Sequence, residues 1–141
     1  MIRDATLEDI PAMVEMGWRF YETLGYHELI PFVPEDFAES LRGFMRDHTA
    51  LVMDGGMGVA ITFTSFVNHN TIVGAELFFW VDPENRGAGM SLLDALESRA
   101  RALGARTMSV VTCQGMKEEA LARAYERRGY VRKETTYVKE L

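Results

Sequence analysis

The segment VDPENRGAGMSLLDALESRA, residues 81–100, constrains the fold of this chain more than any other stretch. An apolar run leads into a proline turn, and Gly87 and Gly89 follow just before a helical pattern. Apolar residues then recur at the helical period over residues 90–103. The pattern predicts a buried strand joined by a short glycine loop to a core-facing helix.

The glycine loop has two interpretations. The first amides of a helix lack an internal acceptor and carry partial positive charge, so Gly87, Ala88 and Gly89 would let them reach a phosphate. Arg86 at the entrance would add a full positive charge. The glycines could instead serve only a sharp turn between strand and helix. The loop lacks the lysine of a Walker motif, and it lacks the third small residue and early position of a Rossmann fingerprint.

The sequence predicts one domain over residues 1–141, without repeats, low-complexity tracts or linkers. Strands both precede and follow helices, so the sheet should be partly parallel and partly antiparallel. In chain order, the patterns predict a weak strand at 1–4, helices within 4–25 and 34–47, a hairpin over 49–66, a central strand at 71–82, a helix at 90–103, a buried strand at 107–113, a helix at 117–129 and a last strand region at 130–141.

Composition argues against several kinds of partner. The formal net charge is −6, whereas binding to nucleic acid or an acidic membrane needs a basic face. No apolar run is long enough to cross a bilayer, and the three scattered histidines lack metal-ligand spacing. Cys113 is the only cysteine, which excludes an internal disulfide. We therefore expect no metal, nucleic-acid or membrane partner, and a cytoplasmic location because no secretory signal is present.

Three stretches of the chain resemble the GCN5-related N-acetyltransferase family. Residues 81–100 resemble its motif A, a strand ending in Val-x-Pro followed by Arg-Gly-x-Gly-x-Gly/Ala and a helix. ALARAYERRGYV resembles the later helix that carries Tyr-Glu-x-x-Gly-Phe/Tyr, and IRDATLEDIPAMVEM resembles the opening strand and helix. The resemblance implies an α/β (α+β layered) fold, with a mixed central sheet of about six to seven strands flanked by about four helices.

The resemblance implies that acetyl-CoA is the cosubstrate. Its pyrophosphate would lie on main-chain amides of the glycine loop, and its pantetheine arm would pair with a strand as an added strand. Ser91 stands where the family has Gly or Ala, and its hydroxyl could either donate to a phosphate or crowd the ligand. The implied cofactor-binding residues are Arg86, Gly87, Ala88, Gly89, Met90 and Ser91 for the pyrophosphate, Phe79 and Val81 for the arm, and Gln114 near the acyl chain or the substrate.

The resemblance also implies acetyl transfer to a primary amine. Tyr125 aligns with the family's general acid. A phenol suits this role because its usual pKa of about 10 exceeds the value of about 8.5 for a thiol, so it stays protonated at neutral pH. Cys113 has no histidine in its sequence context, and we interpret it as a buried thiol that is not a nucleophile. We therefore expect direct transfer of the acetyl group instead of a ping-pong route.

The general base has two candidates. Glu76 is the first, because a carboxylate inside an apolar strand needs a reason, although a structural salt bridge would also provide one. Asp82 is the second, and its alternative role is to cap the turn that follows. Strand alternation would place Glu76 and Phe78 on one face of the sheet, unless a bulge in this strand shifts the parity.

By the same resemblance, the acceptor amine, on a small molecule or a peptide, would lie over the first helices. Aromatic rings with a few acids would suit an amine on an apolar or aromatic body, but these residues could equally be core. The alternative function is a non-catalytic acyl-CoA-binding protein, or a structural or regulatory one. The final strand TTYVKEL would offer a pairing edge for a homodimer. The residues in the acceptor region are Trp18, Tyr21, Tyr26, His27, Glu28 and Phe32.

Overall fold

The computed structural model describes residues 1–85 and 87–141. Within them, a five-stranded sheet in the order β1-β2-β3-β4-β5 is accompanied by four α-helices. All neighbouring strands are antiparallel except β4 and β5, which are parallel, so the predicted mixed sheet is confirmed. The elements are β1 (Arg3–Asp4), α1 (Ile10–Leu24), α2 (Pro34–Arg46), β2 (Ala50–Met53), β3 (Gly56–Thr64), β4 (Ile72–Val81), α3 (Gly89–Ala102), β5 (Ala105–Ser109) and α4 (Glu118–Arg127).

The first two helices follow the local signals in the sequence. Thr6 and Asp9 form a capping box, in which Asp9 Oδ2 accepts a hydrogen bond from the Thr6 amide at 2.8 Å. The α1 helix ends at Gly25, which takes the left-handed conformation with φ 75°. The α2 helix packs closely on α1 at Gly17, because a Cβ there would overlap the Phe37 ring. These two helices therefore cover the sheet as one layer.

Two apolar clusters pack on opposite faces of the sheet. Alternation along β3 separates them, since Val59 belongs to one cluster and Ala60 to the other. The first cluster joins the sheet to Met13 of α1 and Leu41 of α2, both fully buried. The second joins it to α3 through residues such as Leu96, which is also fully buried. Burying each such side chain stabilises the fold by about 2 kcal/mol.

A β-bulge changes side-chain parity in the middle of β4. Val59 pairs with Phe78, but the next residue, Ala60, pairs with Glu76, so Leu77 is left without a partner in β3. Glu76 and Phe78 consequently lie opposite residues that face different sides of the sheet. Uninterrupted alternation is therefore wrong for this strand, and the bulge is the physical reason.

Two expectations for the C-terminal part are wrong. The strand expected to be buried over 107–113 is instead β5, Ala105–Ser109, and its side chains are half-buried or exposed because it is the outer strand of the described sheet. The strand expected over 130–141 does not form, and every residue from 131 to 141 is exposed. The described sheet thus has five strands instead of six to seven. A favourable alternation of residues does not supply the partner backbone that a strand requires.

Candidate active site

A gap opens in the sheet where β4 and β5 separate. The two strands pair only between Ile72–Ala75 and Ala105–Ser109, while β4 continues to Val81. Within residues 1–85 and 87–141, the second half of β4, residues 76–81, therefore has a strand partner on the β3 side only. Its other edge can pair with an extended ligand, in the way that peptides add to a sheet.

Glu76 and Tyr125 meet at this gap on the main chain of Val111. The Tyr125 hydroxyl donates to the Val111 carbonyl at 2.7 Å, and the Val111 amide donates to Glu76 Oε2 at 3.3 Å. Both side chains are buried, with 6% of each residue exposed. Both residues are candidates from the sequence, but the role of Val111 could not be predicted, because its main-chain contacts do not depend on its residue type.

Burial changes the acid–base properties of both groups. It raises the pKa of Glu76 to about 7, and the hydrogen bond from the Val111 amide opposes this rise only in part. Burial also raises the pKa of Tyr125, and the neighbouring Glu76 and Cys113 raise it further. Near neutral pH, Glu76 can therefore exchange a proton while Tyr125 stays protonated. The arrangement offers one group that accepts a proton and one that donates.

The loop after β5 carries Cys113 and Gln114. Burial raises the pKa of the half-buried Cys113 thiol, and the charges of Glu76 and Glu118 raise it further. These effects disfavour the thiolate, as expected for a cysteine that is not a nucleophile. Gln114 follows in the same loop and is exposed to solvent.

The glycine loop connects the open half of β4 to α3. Gly87 has φ 106°, in the region that favours glycine. The first hydrogen bond of helical type runs from the Leu92 amide to the Ala88 carbonyl at 3.2 Å, so the amides of residues 89–91 have no helical acceptor among the described residues. Ala88, at the N-cap position, makes no side-chain cap. Arg86, expected to bind the pyrophosphate, lies outside the described residues.

Internal packing does not explain why residue 89 is a glycine. A Cβ at Gly89 would lie 3.7 Å from Val81 Cγ2 and 4.0 Å from Phe79 Cε2, both ordinary contacts. A Cβ at Gly87 would have no atom within 4 Å. A sharp turn thus accounts for Gly87 through its backbone conformation, but not for Gly89. Open space beside free helix amides is what a phosphate group needs.

The other residues expected to bind the cofactor surround the same region. Phe79 and Val81 are half-buried and face the start of α3, where Gly89 lies near both side chains. Met90 is half-buried and Ser91 is exposed in the first turn of α3. The fold therefore brings the second half of β4 and the glycine loop into one continuous surface.

Asp82 is engaged in a structural network at the end of β4. Its Oδ1 accepts a hydrogen bond from Trp80 Nε1 at 2.8 Å and forms an ion pair with Arg19 Nη2 at 3.0 Å. The carboxylate thereby ties β4 to α1. Of the two candidates for a general base, Glu76 is the one that contacts the main chain at the gap.

The aromatic residues expected around the acceptor form one connected series. Trp18 and Tyr21 both contact Phe32, which contacts Phe37 of α2, and Phe37 contacts Phe78 of β4. The ring centroids in these pairs are 5.4 to 5.8 Å apart. Tyr26 and His27 extend the series at its outer end, and Glu28 is exposed beside them. Phe37 and Phe78 were not expected here because their sequence patterns are those of ordinary core residues.

Residues 1–85 and 87–141 contain neither a metal-binding cluster nor a membrane-spanning helix. In this part of the chain, no group of three or more His, Cys, Asp or Glu side chains is arranged to hold a metal ion. Among the same residues, no helix combines the length and the apolar character needed to cross a bilayer.

The architecture is similar to that of solved acetyltransferase structures, although the sequence matches no protein-family model and no curated protein. A ribosomal-protein-alanine N-acetyltransferase from Brucella melitensis biovar Abortus 2308 aligns with a TM-score of 0.69 and 17% identity, over 100% of this chain and 99% of that one. Glucosamine-6-phosphate N-acetyltransferase from Arabidopsis thaliana aligns with a TM-score of 0.67 and 16% identity, over 99% and 96%. A protein from Clostridium acetobutylicum, described as a predicted acetyltransferase and solved with acetyl-CoA, aligns with a TM-score of 0.67 and 17% identity, over 100% and 94%. The chain therefore has the fold of the GCN5-related N-acetyltransferases.

Proposed function

We propose that this chain is an N-acetyltransferase that moves the acetyl group of acetyl-CoA directly to a primary amine of a small molecule or peptide. The observation that carries the proposal is the meeting of Glu76 and Tyr125 on Val111, beside the open half of β4. The shared fold supports it, since the structural neighbours named above include two N-acetyltransferases and a protein solved with acetyl-CoA. A cytoplasmic setting suits the single free cysteine.

The glycine loop and β4 would hold the cosubstrate. The amides of residues 89–91 would bind the pyrophosphate, with charge added by Arg86. The open main-chain edge at Phe79 and Val81 would pair with the pantetheine arm. The exposed Ser91 hydroxyl can donate to a bound phosphate.

The two titratable groups would divide the proton transfers between them. Glu76 takes a proton from the acceptor amine, directly or through a water molecule, so that the nitrogen can form the new bond to the acetyl carbon. As the carbon–sulfur bond breaks, Tyr125 donates its proton to the departing sulfur. The proton on Glu76 is then transferred to the Tyr125 phenolate, which restores the protonated hydroxyl. The net reaction moves one proton from the amine to the thiol, so the enzyme returns to its starting state.

Calorimetric titration with acetyl-CoA and replacement of Tyr125 test the proposal together. Measurable binding is expected for the wild-type chain, and Tyr125→Phe should lower turnover by about 100-fold with little change in acetyl-CoA affinity. Tyr130→Phe is the matched control, because Tyr130 packs beside Tyr125 but donates its hydroxyl to Glu97 of α3. Absence of binding heat would overturn the proposal. Equal turnover in the two variants would remove Tyr125 from its role.

A thiol-release screen identifies the acceptor. The connected aromatic series from Trp18 to Phe78 supports an amine carried on an apolar or aromatic body. We expect release of free thiol in the presence of arylalkylamines or aromatic-rich peptides to exceed release with short aliphatic amines. A preference for the aliphatic amines would argue that the aromatic series is only core.

A further inference from the structure

The turn between β4 and the glycine loop contains a series of main-chain hydrogen bonds that begins at Asp82. The Asp82 amide donates to the Gly55 carbonyl at 2.8 Å, and the Asn85 amide donates to the Asp82 carbonyl at 2.8 Å. The Ala88 amide then donates to the Asn85 carbonyl at 3.3 Å, and the Leu92 amide donates to the Ala88 carbonyl. The position of the first turn of α3 therefore depends, through these bonds, on where Asp82 is held.

The side chain of Asp82 is held from two directions. Its Oδ1 accepts a hydrogen bond from Trp80 Nε1 within β4 at 2.8 Å and pairs with Arg19 Nη2 of α1 at 3.0 Å. Charge-assisted hydrogen bonds are stronger than neutral ones and hold their groups in a defined geometry. Asp82 is buried, so the loss of either donor would leave a polar group inside the protein with fewer partners. The carboxylate therefore fixes the end of β4 against α1.

The turn between β2 and β3 holds the same segment from a third side. Gly55 has φ 67°, in the region that favours glycine. A Cβ at Gly55 would overlap the side-chain amide of Asn85 and lie 3.4 Å from Asp82 Oδ2. Both the conformation and the lack of space therefore require glycine here, and its small size lets Asp82 and Asn85 approach the turn.

Asp82 lies between the regions proposed for the two substrates. The open edge of β4 ends directly before it, and the amides of residues 89–91 follow the turn. On the other side, Trp80 contacts Phe20 of α1 with ring centroids 6.0 Å apart, and Phe20 contacts Phe78 at 6.2 Å. The helix that carries aromatic residues expected around the acceptor thus packs on the end of β4, where the turn to the glycine loop begins.

We propose that Asp82 is a positioning residue, which together with Arg19 sets the geometry of the glycine loop and so connects α1 to acetyl-CoA binding. The inference rests on the proposed function, in which this loop holds the pyrophosphate. The carboxylate acts through the main-chain hydrogen bonds described above, without touching a substrate. Glu76 remains the base, so the network affects the binding of acetyl-CoA and not the proton transfers.

Steady-state kinetics of Asp82→Asn distinguish positioning from base catalysis. The asparagine keeps an oxygen that can accept from Trp80, but it loses the negative charge that pairs with Arg19. The KM and the calorimetric Kd for acetyl-CoA should both rise about tenfold, while kcat stays within about twofold and the pH dependence of kcat/KM is retained. A large fall in kcat with unchanged KM, or loss of the pH dependence, would overturn the proposal and make Asp82 the base.

Replacement of Arg19 tests the connection to α1 and stays informative if Asp82→Asn fails to fold. Arg19→Met removes the ion pair and keeps an unbranched side chain, so the Kd for acetyl-CoA should rise about fivefold. Arg19→Lys keeps the positive charge and should restore part of the affinity. Arg42→Met, at an exposed position of α2, is the matched control and should bind as the wild-type chain does. Equal Kd values for Arg19→Met and Arg42→Met would overturn the proposal.

A double-mutant cycle shows whether the two residues act as one unit. The combined loss in Asp82→Asn with Arg19→Met should be smaller than the sum of the two single losses, because either change already breaks the same ion pair. Strictly additive losses would contradict a shared role in positioning the loop.

Hydrogen exchange without ligand separates failure of this inference from failure of the proposed function. The main-chain amides of Asn85 and Ala88 are bonded in the series, so Asp82→Asn should speed their exchange about tenfold and leave the amides of α2 unchanged. Unchanged exchange at both positions would overturn the positioning role. If exchange changes as expected and the wild-type chain binds no acetyl-CoA, the role of Asp82 in holding the loop is supported and the proposed function fails.

Discussion

The two halves of β4 have similar apolar sequences and different surroundings. The first half, residues 72–75, lies between β3 and β5 and is paired on both sides. The second half, residues 76–81, is paired with β3 alone in the described structure and borders the gap. One strand thus supplies an interior part of the sheet and, past its bulge, one wall of the candidate active site.

The difference between the halves teaches how a site can be placed inside an apolar strand. In the first half, Gly74 allows close packing, because a Cβ there would lie 3.1 Å from Ala100 Cβ and 3.2 Å from Ala105 Cβ. In the second half, the bulge at Leu77 redirects the chain and Glu76 carries a buried carboxylate. The following predictions test whether the first half serves packing and the second half serves binding and chemistry.

The largest effect on stability is expected for Glu76→Gln at high pH. Burial raises the pKa of Glu76 from 4.5 to about 7, so the folded chain holds its proton more tightly than the unfolded chain. Folding stability should therefore fall as pH rises between these values, by up to about 3 kcal/mol, and the glutamine variant should escape this loss. Urea unfolding at pH 5 and pH 8 measures the difference.

The exposed α2 residue Glu39, changed to Gln, is the control for Glu76→Gln. The control should have the same free energy of unfolding as the wild-type protein at both pH values. If Glu76 also acts as the base, kcat/KM of the wild-type protein should rise through pH 7, and the Glu76→Gln variant should lack that rise. A stability difference that does not change with pH would contradict the buried, neutralisable carboxylate.

The next effect concerns the closed half of β4. Gly74→Val should destabilise the fold by about 2 kcal/mol, because the added atoms force α3 away from the sheet. The urea concentration at the midpoint of unfolding measures this loss, provided that the slope of the unfolding free energy against urea concentration is unchanged. An unchanged midpoint would show that the first half of β4 is not packed as tightly as the structure indicates.

A smaller effect is expected in the glycine loop. Gly89→Ala should weaken acetyl-CoA binding by about tenfold, or about 1.4 kcal/mol, because the methyl group would occupy the space that we propose for a phosphate. Its stability should not fall, since the added Cβ makes only ordinary contacts. Gly43→Ala in α2 is the control, because a Cβ there would lie 3.7 Å from Arg46 Nη2, an ordinary contact. Calorimetry should show unchanged acetyl-CoA affinity for that control, and equal affinities in both variants would contradict the phosphate site.

The smallest effect should come from the bulge residue itself. Leu77 is 44% exposed and has no partner in β3, so Leu77→Ala should change stability by less than about 0.5 kcal/mol. Phe78→Ala, one residue further, should cost about 3 kcal/mol because Phe78 is buried among aromatic rings. Similar losses in both variants would mean that the bulge does not separate exposed from buried positions.

Local patterns predicted most of the architecture. The capping box at Thr6 and the stop at Gly25 act within a few residues of each other, so the bounds of α1 follow from short-range chemistry. The glycine loop before α3 could also be predicted, because it too follows from residues that are close together in the sequence. The predicted strand over 130–141 failed because alternation describes one strand, whereas pairing depends on a second strand that is distant in sequence.

The sequence named candidate residues for the site but not how they are arranged. Glu76 was a candidate because a carboxylate is unusual in an apolar strand, and Tyr125 was a candidate because it lies in a motif that resembles a known family. Their meeting on Val111 could not be predicted, because it depends on where β5 leaves the sheet. The ion pair between Asp82 and Arg19 could not be predicted either, since the two residues are 63 positions apart in the sequence.

The sequence by itself determined the order of the helices and of the first five strands, the mixed direction of the sheet and the glycine loop before α3. These features follow from residue patterns that extend over a few helical turns or one strand. Only the tertiary structure decided where β4 and β5 separate, which face Glu76 occupies and how far burial raises its pKa. These properties depend on the packing of groups far apart in the chain, and desolvation acts on a residue only after the whole fold has enclosed it.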